Sequence, residues 1–223
     1  MEAIKKIGII LGIIVALLLI IVGAALLRVT IKTNKLNNNY SILISDAQYN
    51  KAVIFVNIEV IEQSISCGYA TIEMFSKWNN NVITEEDLYK QYGKVTTSTG
   101  TSFCKEMNKQ FSKYVTTKYS YMNNTSLLKT IYTSLNNGIP VPIEWAADYE
   151  GEWTLHYSLV TGIDLANDNV VVANPYGYIE ELTIKEFLNR TSFNAYENMP
   201  FYFKLGFAFG FFEKNTVFIV ERK

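Results

Sequence analysis

The chain has 223 residues, with 20 lysines and arginines, 21 aspartates and glutamates and one histidine, which gives a formal net charge of −1. A balance this close to neutral supplies no basic face for a nucleic-acid partner, so we expect none. The two cysteines and one histidine are widely separated and do not form a zinc-site pattern, so we expect neither a metal nor another cofactor.

The first segment of the chain is strongly apolar. Residues 7–27 contain only Ile, Leu, Val, Ala and Gly. At about 1.5 Å per residue they would form a helix of roughly 31 Å, which matches a bilayer core of about 30 Å. We therefore predict a membrane anchor over residues 1–35, with its transmembrane helix at 7–27. A cleaved signal peptide is the alternative, because Lys5 and Lys6 precede the run, but the apolar core of a signal peptide has only about 7–15 residues.

Basic residues lie on both sides of this apolar run, so their number does not choose an orientation. Long domains that follow an N-terminal anchor are translocated largely regardless of such charges. We therefore expect a single-pass membrane protein whose main domain is extracytoplasmic. A polar tether is predicted over residues 36–48 and one domain over 49–223, which is long enough to bury a good core.

Residues 51–61 are rich in Val, Ile and Phe and predict an extended segment. Ser66 and Cys67 then precede an apolar helical face made by Thr71, Met74, Phe75 and Trp78. We predict that Ser66 caps this helix and that Cys67 is its first residue. The positive end of the helix dipole favours the thiolate, which is the nucleophilic form of cysteine, so Cys67 is a candidate nucleophile.

The residues after this helix predict a short helix, a loop and a longer helix. The short helix begins at the capping-box spacing of Thr84 and Asp87, the loop covers residues 93–101, and the longer helix covers 102–114. The longer helix carries Cys104, whose ordinary interpretation is a buried core thiol. A Cys67–Cys104 disulfide is an alternative in an oxidising compartment, and it would block the chemistry of Cys67.

A further helix is predicted over residues 127–135, closed by Asn137 and Gly138. Residues 139–143 contain two prolines, each of which lacks a backbone donor. These residues therefore predict an edge strand or an irregular strand.

Two antiparallel strands joined by a turn are predicted at 153–163 and 169–173. If Gly162 lies opposite Val170, then His156 lies opposite Tyr176, two residues from Asn174. A slip of two residues would place His156 directly opposite Asn174. In either register the imidazole and the carboxamide come within side-chain reach.

The end of the chain predicts a helix that begins at Thr183, an aromatic segment over 201–212 and a last strand over 216–220. We expect the aromatic segment to pack on the core, and contact with a membrane is the alternative. Helices thus dominate the first half and strands the second. This segregation predicts an α+β domain with an antiparallel sheet rather than alternating β-α units.

Cysteine acyl transfer needs a thiolate, an imidazole and a group that orients the imidazole. Lowering a thiol pKa from about 8.5 to about 4 takes roughly 6 kcal/mol, of which a helix end supplies about 0.3–2 kcal/mol. An imidazolium must supply the rest, and His156 is the only histidine. We therefore predict that Cys67, His156 and Asn174 act together.

Four segments resemble the bacterial C39-like cysteine peptidases, a branch of the papain-like fold. They are Ser-Cys-Gly-Tyr-Ala at 66–70, Asn-Gly-Ile-Pro-Val at 137–141, His156 followed by Val-Thr-Gly-Ile-Asp at 160–164, and Asn-Pro-Tyr-Gly at 174–177. The resemblance covers roughly residues 50–190. It implies a papain-like fold, a peptide or protein substrate, Cys67 as nucleophile, His156 as acid and base, and Asn174 as the residue that orients the ring.

Two positions depart from the family pattern. The family commonly has Asp where this chain has Asn174, although other papain relatives use Asn. The oxyanion glutamine usually lies five or six residues before the cysteine, whereas Gln63 lies four before Cys67. Gln63 is the candidate oxyanion donor beside the Cys67 amide, and Asn57 is a weaker rival.

The function expected is therefore a membrane-anchored cysteine peptidase that cleaves a peptide or isopeptide bond through a thioester. One alternative keeps the same residues for other acyl transfer, as in a cell-wall amidase or a transamidase. Another is a non-catalytic binding module on the same scaffold. The oligomeric state has no signal in the sequence.

Overall fold

The computed structural model describes residues 2–55, 57–93, 97–193 and 200–223. Its α-helices are α1 (Glu2–Thr33), α2 (Ser41–Ile44), α3 (Cys67–Trp78), α4 (Glu85–Tyr92), α5 (Gly100–Gln110), α6 (Asn124–Asn136), α7 (Ile184–Ser192) and α8 (Phe201–Ala208). Its strands are β1 (Val53–Ile54), β2 (Tyr114–Tyr119), β3 (Val141–Tyr149), β4 (Glu152–Asp164), β5 (Asn169–Asn174), β6 (Tyr178–Leu182) and β7 (Thr216–Arg222).

Helix α1 includes the whole apolar run, whose side chains are largely exposed. Among the described residues it is the one helix long and apolar enough to cross a membrane. The chain then turns back onto the domain, where Leu36, Leu43 and Tyr49 are buried. The Asn38 side chain donates a hydrogen bond to the Thr125 hydroxyl at the start of α6 (2.8 Å).

The described strands form one antiparallel sheet in the order β2-β7-β3-β4-β5-β6, and β1 pairs with the far end of β4. One face of the sheet carries the buried cluster that includes α6 and α7, and the other carries the cluster that includes α3 and α5. Along β4, Tyr157 and Leu159 face α3, while Val160 faces α6. The predicted α+β class is confirmed.

The register of β4 against β5 changes within the pair. Near the turn Gly162 lies opposite Val171, so neither of the two registers considered from the sequence is formed at that point. A bulge between Val160 and Gly162 adds one residue to β4, and beyond it Val160 pairs with Val172 in the predicted register. This register puts His156 beside Tyr176, whose ring stacks on the imidazole at a centroid distance of 4.2 Å.

Residues 139–143 do not form an edge strand, because β3 lies between β7 and β4 inside the sheet. The prolines are tolerated because the β3–β7 ladder begins only at Ile143. At Pro142 the strand pairs with β4 alone, so the missing amide interrupts no ladder on the β7 side.

The helix predicted over residues 102–114 is displaced toward the N-terminus. It begins at Gly100, because Thr99 and Ser102 form a reciprocal cap, and it ends at Gln110. Tyr114 starts β2 instead. The rings of Phe111 and Tyr114 both pack on Phe75, so their spacing reflects burial rather than a helical turn. The predicted loop over residues 93–101 ends earlier than expected, because α5 already begins at Gly100. Residues 94–96 of this loop lie outside the described residues.

The remaining boundaries agree closely with the sequence. The capping box at Thr84, the left-handed Gly138 after α6 (φ +78°) and the Thr183 cap of α7 are all present. Within residues 51–61 the described strand is limited to Val53–Ile54, and Val56 lies outside the described residues. The last strand is β7, and residues 201–208 form α8.

Candidate active site

Helix α3 begins at Cys67, as predicted. The Ser66 hydroxyl accepts a hydrogen bond from the Tyr69 amide (3.2 Å), which satisfies one of the free amides of the first turn. Gly68 is required by close packing, because a Cβ there would lie 2.4 Å from the Thr97 hydroxyl oxygen. The glycine after the cysteine therefore lets Thr97 approach the helix start.

The loop before Cys67 is held by the buried carboxylate of Glu85, at the first position of α4. One oxygen accepts hydrogen bonds from the Ser64 amide (2.8 Å) and the Ser64 hydroxyl (2.9 Å). The other accepts from the amides of Ile65 (2.9 Å) and Ser66 (2.6 Å). Four hydrogen bonds to one carboxylate fix the chain that leads into the cysteine. Sequence reasoning assigned Glu85 only to a capping motif and missed this role.

The same loop is joined to the turn that follows β5. The Gln63 amide donates a hydrogen bond to the Pro175 carbonyl (2.7 Å), and a Cβ on Gly177 would lie 3.3 Å from Glu62. The side-chain carbonyl oxygen of Gln63 is buried and has no hydrogen-bond partner among the described residues. Asn57, the weaker rival for the oxyanion role, is exposed.

His156 and Asn174 are in direct contact, as the hairpin predicted. The distance from His156 Nε2 to Asn174 Oδ1 is 2.9 Å. The amide nitrogen of Asn174 donates to Glu180 (3.1 Å), and its oxygen also accepts from the Tyr176 amide (3.0 Å). Since the oxygen can only accept, His156 Nε2 carries the proton in this contact, and Nδ1 of the neutral ring keeps a free lone pair.

Glu180 is a further residue that sequence reasoning missed. Its second oxygen accepts a hydrogen bond from Arg190, which also pairs with Glu186 and lies over the rings of Trp145 and Trp153. A chain of fixed polar contacts thus runs from Arg190 through Glu180 to the carboxamide. Glu180 lies on β6, which pairs with β5, and it is opposite Val172. A predicted hairpin partner for β5 would therefore have indicated this residue.

The structure does not join the Cys67 sulfur to the His156 ring. Along β4, Leu155 and Tyr157 lie on the side of Cys67, whereas His156 pairs with Trp145, which packs in the cluster on the other face of the sheet. The Tyr157 amide, next to His156, donates a hydrogen bond to the sulfur. Within the described residues the sulfur makes no hydrogen bond to the imidazole, whose polar contact is with Asn174. Cys67 and Cys104 are both free, so the alternative disulfide is not formed.

The pKa values of this pair move in the opposite direction from the sequence-based expectation of an ion pair. Burial raises the pKa of the Cys67 thiol to about 11, although the amides of Tyr157 and Gly68 oppose the rise. Burial also lowers the pKa of His156 to about 4, against the hydrogen bond to Asn174. Desolvation disfavours both charged forms and outweighs the helix end, so thiol and imidazole are both neutral here.

A cavity of about 240 Å³ lies over the thiol. Around Cys67 its wall contains four hydroxyl residues and three apolar ones, which are Ser66, Thr97, Ser98, Tyr157, Leu155, Phe203 and Phe212. Of the four predicted site residues, Cys67 alone lines this cavity. A larger cavity of about 710 Å³, between α6 and the end of β7, contains none of the four predicted site residues.

A second buried acid, Glu144, lies close to the thiol. Its carboxyl accepts a hydrogen bond from the Tyr157 hydroxyl (3.3 Å) and approaches the start of α5, where a Cβ on Gly100 would lie 2.7 Å from it. Burial raises its pKa to about 8, which the Glu213 amide and Lys118 partly oppose. Glu144 is therefore mostly protonated at neutral pH.

A helix that begins at a cysteine and packs on an antiparallel sheet carrying a histidine defines the papain-like α+β class of protein. The comparison with family models agrees with this class, because the model of the Peptidase_C39 like family matches residues 55–202. The chain belongs to this family, which supports a cysteine-peptidase type of function. A comparison with curated protein sequences finds no match for the chain.

We expect Glu85→Gln to destabilise the domain, because an amide group would turn a donor toward backbone amides that need an acceptor. Hydrogen bonds to charged groups contribute about 1.5–3 kcal/mol each, so we expect the free energy of unfolding to fall by about 2–4 kcal/mol. Urea unfolding of the full chain in detergent micelles measures this change. The matched control is Glu86→Gln on the exposed side of α4, which should change it by less than about 0.5 kcal/mol. Equal effects of the two substitutions would contradict this role of Glu85.

We expect the free energy of unfolding to decrease between pH 6.5 and 8. In this window folded Glu144 keeps its proton up to a pKa of about 8, whereas the unfolded carboxyl loses it near 4.5. The proton therefore stabilises the folded chain fully below pH 4.5, and that stabilisation is lost as the pH rises through 8. His156 acts in the opposite direction only between its folded pKa of about 4 and its ordinary value of 6.5, so it does not mask the effect above pH 6.5.

The expected loss across this window is about 2 kcal/mol, at roughly 1.36 kcal/mol per pH unit. Urea unfolding at pH 6.5, 7.25 and 8 measures it. Glu144→Gln should remove the slope, while the exposed Glu221→Gln should keep it. A slope that persists in Glu144→Gln would assign the titration to another group.

Proposed function

We propose that the protein is a membrane-anchored cysteine peptidase in which Cys67, His156 and Asn174 cleave a peptide or isopeptide bond. The observation that carries this proposal is the contact between His156 Nε2 and Asn174 Oδ1 at 2.9 Å. It orients the imidazole with its Nδ1 lone pair available, on the strand whose next amide binds the Cys67 sulfur.

The proposed reaction uses Cys67 as nucleophile and His156 as base and then as acid. His156 Nδ1 accepts the thiol proton as the Cys67 sulfur attacks the carbonyl carbon of the substrate. The same proton then passes from Nδ1 to the leaving amine, and a thioester forms on the sulfur. A water molecule gives a proton to Nδ1 as its oxygen attacks the thioester, and that proton then passes from Nδ1 to the leaving sulfur, which releases the carboxylic acid and restores the thiol and the neutral ring. Asn174 holds the ring in one orientation throughout and takes no proton.

The oxyanion that forms at the substrate carbonyl needs hydrogen-bond donors. The Cys67 amide is suitable, because it lies at the start of α3, where backbone amides have no partner within the helix. The Gln63 carboxamide is the second donor we propose. Its side-chain amide nitrogen can donate, and Gln63 lies on the loop that leads into Cys67, where its backbone amide binds the Pro175 carbonyl.

The neutral resting pair indicates general-base activation rather than a permanent thiolate–imidazolium pair. At neutral pH an imidazole with a pKa of about 4 is unprotonated and can accept the thiol proton, whereas a thiol with a pKa of about 11 holds it. Proton transfer then accompanies the attack on the substrate. This mechanism makes the reactivity of Cys67 depend on His156 and only weakly on pH.

We also propose that α1 is a single-pass anchor and that the domain lies outside the cytoplasm. The length of the apolar run and the exposure of its side chains support the anchor. The proposed substrate is a peptide or protein.

The test is the rate at which a peptidyl vinyl sulfone modifies the full chain in lipid nanodiscs, followed by intact-protein mass spectrometry. We expect one adduct on Cys67 and a rate that is nearly constant from pH 5 to 8. In His156→Ala the rate should fall by about 10²-fold or more at pH 7 and should rise about tenfold per pH unit, because only the thiolate then reacts. Cys67→Ala should abolish the adduct, and Cys104→Ala, the matched control, should retain it.

The same preparation separates this proposal from its alternatives. New peptide termini from a peptide library support hydrolysis, and products joined to an added amine would assign a transamidase instead. A rate in His156→Ala equal to that of the wild-type chain would contradict the proposed catalytic pair and leave the binding-module interpretation.

A further inference from the structure

Residues 201–212, called here the aromatic segment, consist of α8 and the turn that follows it, and seven of the twelve residues are Phe or Tyr. The segment has two sides. Phe203, Phe207 and Phe212 pack together against the domain. The four other aromatic side chains are each 50–64% exposed, and they are Phe201, Tyr202, Phe209 and Phe211. All the exposed phenylalanines of the described residues lie in this segment.

The aromatic segment lies beside the end of α1. Helix α8 packs against α1, and Val29 joins the cluster of Phe203, Phe207 and Phe212. Arg28 and Lys32 of α1 line a small cavity together with Phe209. Val29 lies two residues after the apolar run, which is about 3 Å further along the helix axis. The exposed aromatic side chains are therefore close to the level at which α1 would leave the hydrocarbon core.

The residues of the aromatic segment and the end of α1 are of types that occur at the boundary between lipid headgroups and acyl chains. Aromatic side chains concentrate at the boundary between headgroups and acyl chains, and arginine and lysine beside it interact with lipid phosphates. A short segment with exposed aromatic residues can lie in this boundary without crossing the membrane. Such a position would also remove from water an apolar surface that a soluble domain rarely exposes.

We propose that the aromatic segment inserts its exposed side chains into the headgroup–acyl boundary of the bilayer that α1 spans. This inference rests on the proposed anchoring by α1. The opposite side of the same segment forms part of the active-site cavity, because Phe203 and Phe212 lie in the wall around Cys67. The aromatic segment would then lie between the thiol cavity and the lipid surface. We therefore expect the substrate to be a polypeptide held at the membrane surface.

The test measures the depth of the segment in the full chain, in nanodiscs whose lipids carry bromine near the top of the acyl chains. Phe209→Trp and Phe211→Trp each place a fluorophore at an exposed position, and the emission of the three native tryptophans is subtracted by using the parent chain. We expect brominated lipid to quench the added emission by about half or more, as for an aromatic residue at the interface. Tyr89→Trp on the exposed side of α4 is the matched control and should not be quenched.

Each result has one meaning. Quenching at position 209 or 211 well above that at position 89 supports the proposal, and either variant suffices if the other fails to fold. Added emission that is unquenched overturns it, and a blue shift without quenching assigns the surface to a second copy of the chain. Loss of the chain from the nanodiscs overturns the anchoring as well. Modification of Cys67 in the same nanodiscs reports separately on the peptidase, so the two proposals can fail independently.

Discussion

The site depends on a short loop, residues 62–66, that is fixed on two sides before α3 begins. On one side the Glu85 carboxylate accepts three backbone amides and a hydroxyl, and on the other the Gln63 amide binds the Pro175 carbonyl. The first contact ties the loop to the helical half of the domain, and the second ties it to the turn after β5. The relative position of Cys67 and the His156–Asn174 pair follows from these contacts, because the three residues come from elements distant in the sequence.

Burial controls the electrostatics of the site. Backbone amides favour the charged form of Cys67 and the hydrogen bond to Asn174 favours the charged form of His156, yet desolvation is the largest contribution for both residues. A helix end contributes at most about 2 kcal/mol, whereas burial can shift a pKa by 3–5 units. Burial therefore keeps both groups neutral in the resting protein. The nearby Glu144 carboxylate adds a smaller contribution that also raises the pKa of Cys67.

The aromatic segment contacts both the thiol cavity and the proposed membrane anchor α1. Its inner side chains complete the wall of the thiol cavity, and its helix packs on the last turns of α1. If the segment lies in a bilayer as proposed, a shift in its depth would move Phe203 and Phe212, and it would thereby change the burial that raises the pKa of Cys67. In the proposed function, the anchor would also determine which surface the active site faces.

The sequence by itself determined the local features of this protein. Ser66 as a cap, Cys67 at the helix start, the contact of His156 with Asn174 and the α+β class all follow from short-range periodicity, capping chemistry and one hairpin. Only the tertiary structure decided the interior position of β3, the end of α5 at Gln110, the roles of Glu85 and Glu180, and the neutral state of the thiol. These features depend on which distant residues approach each other and on how much water they exclude. Neither quantity is encoded in the spacing of residues along one segment.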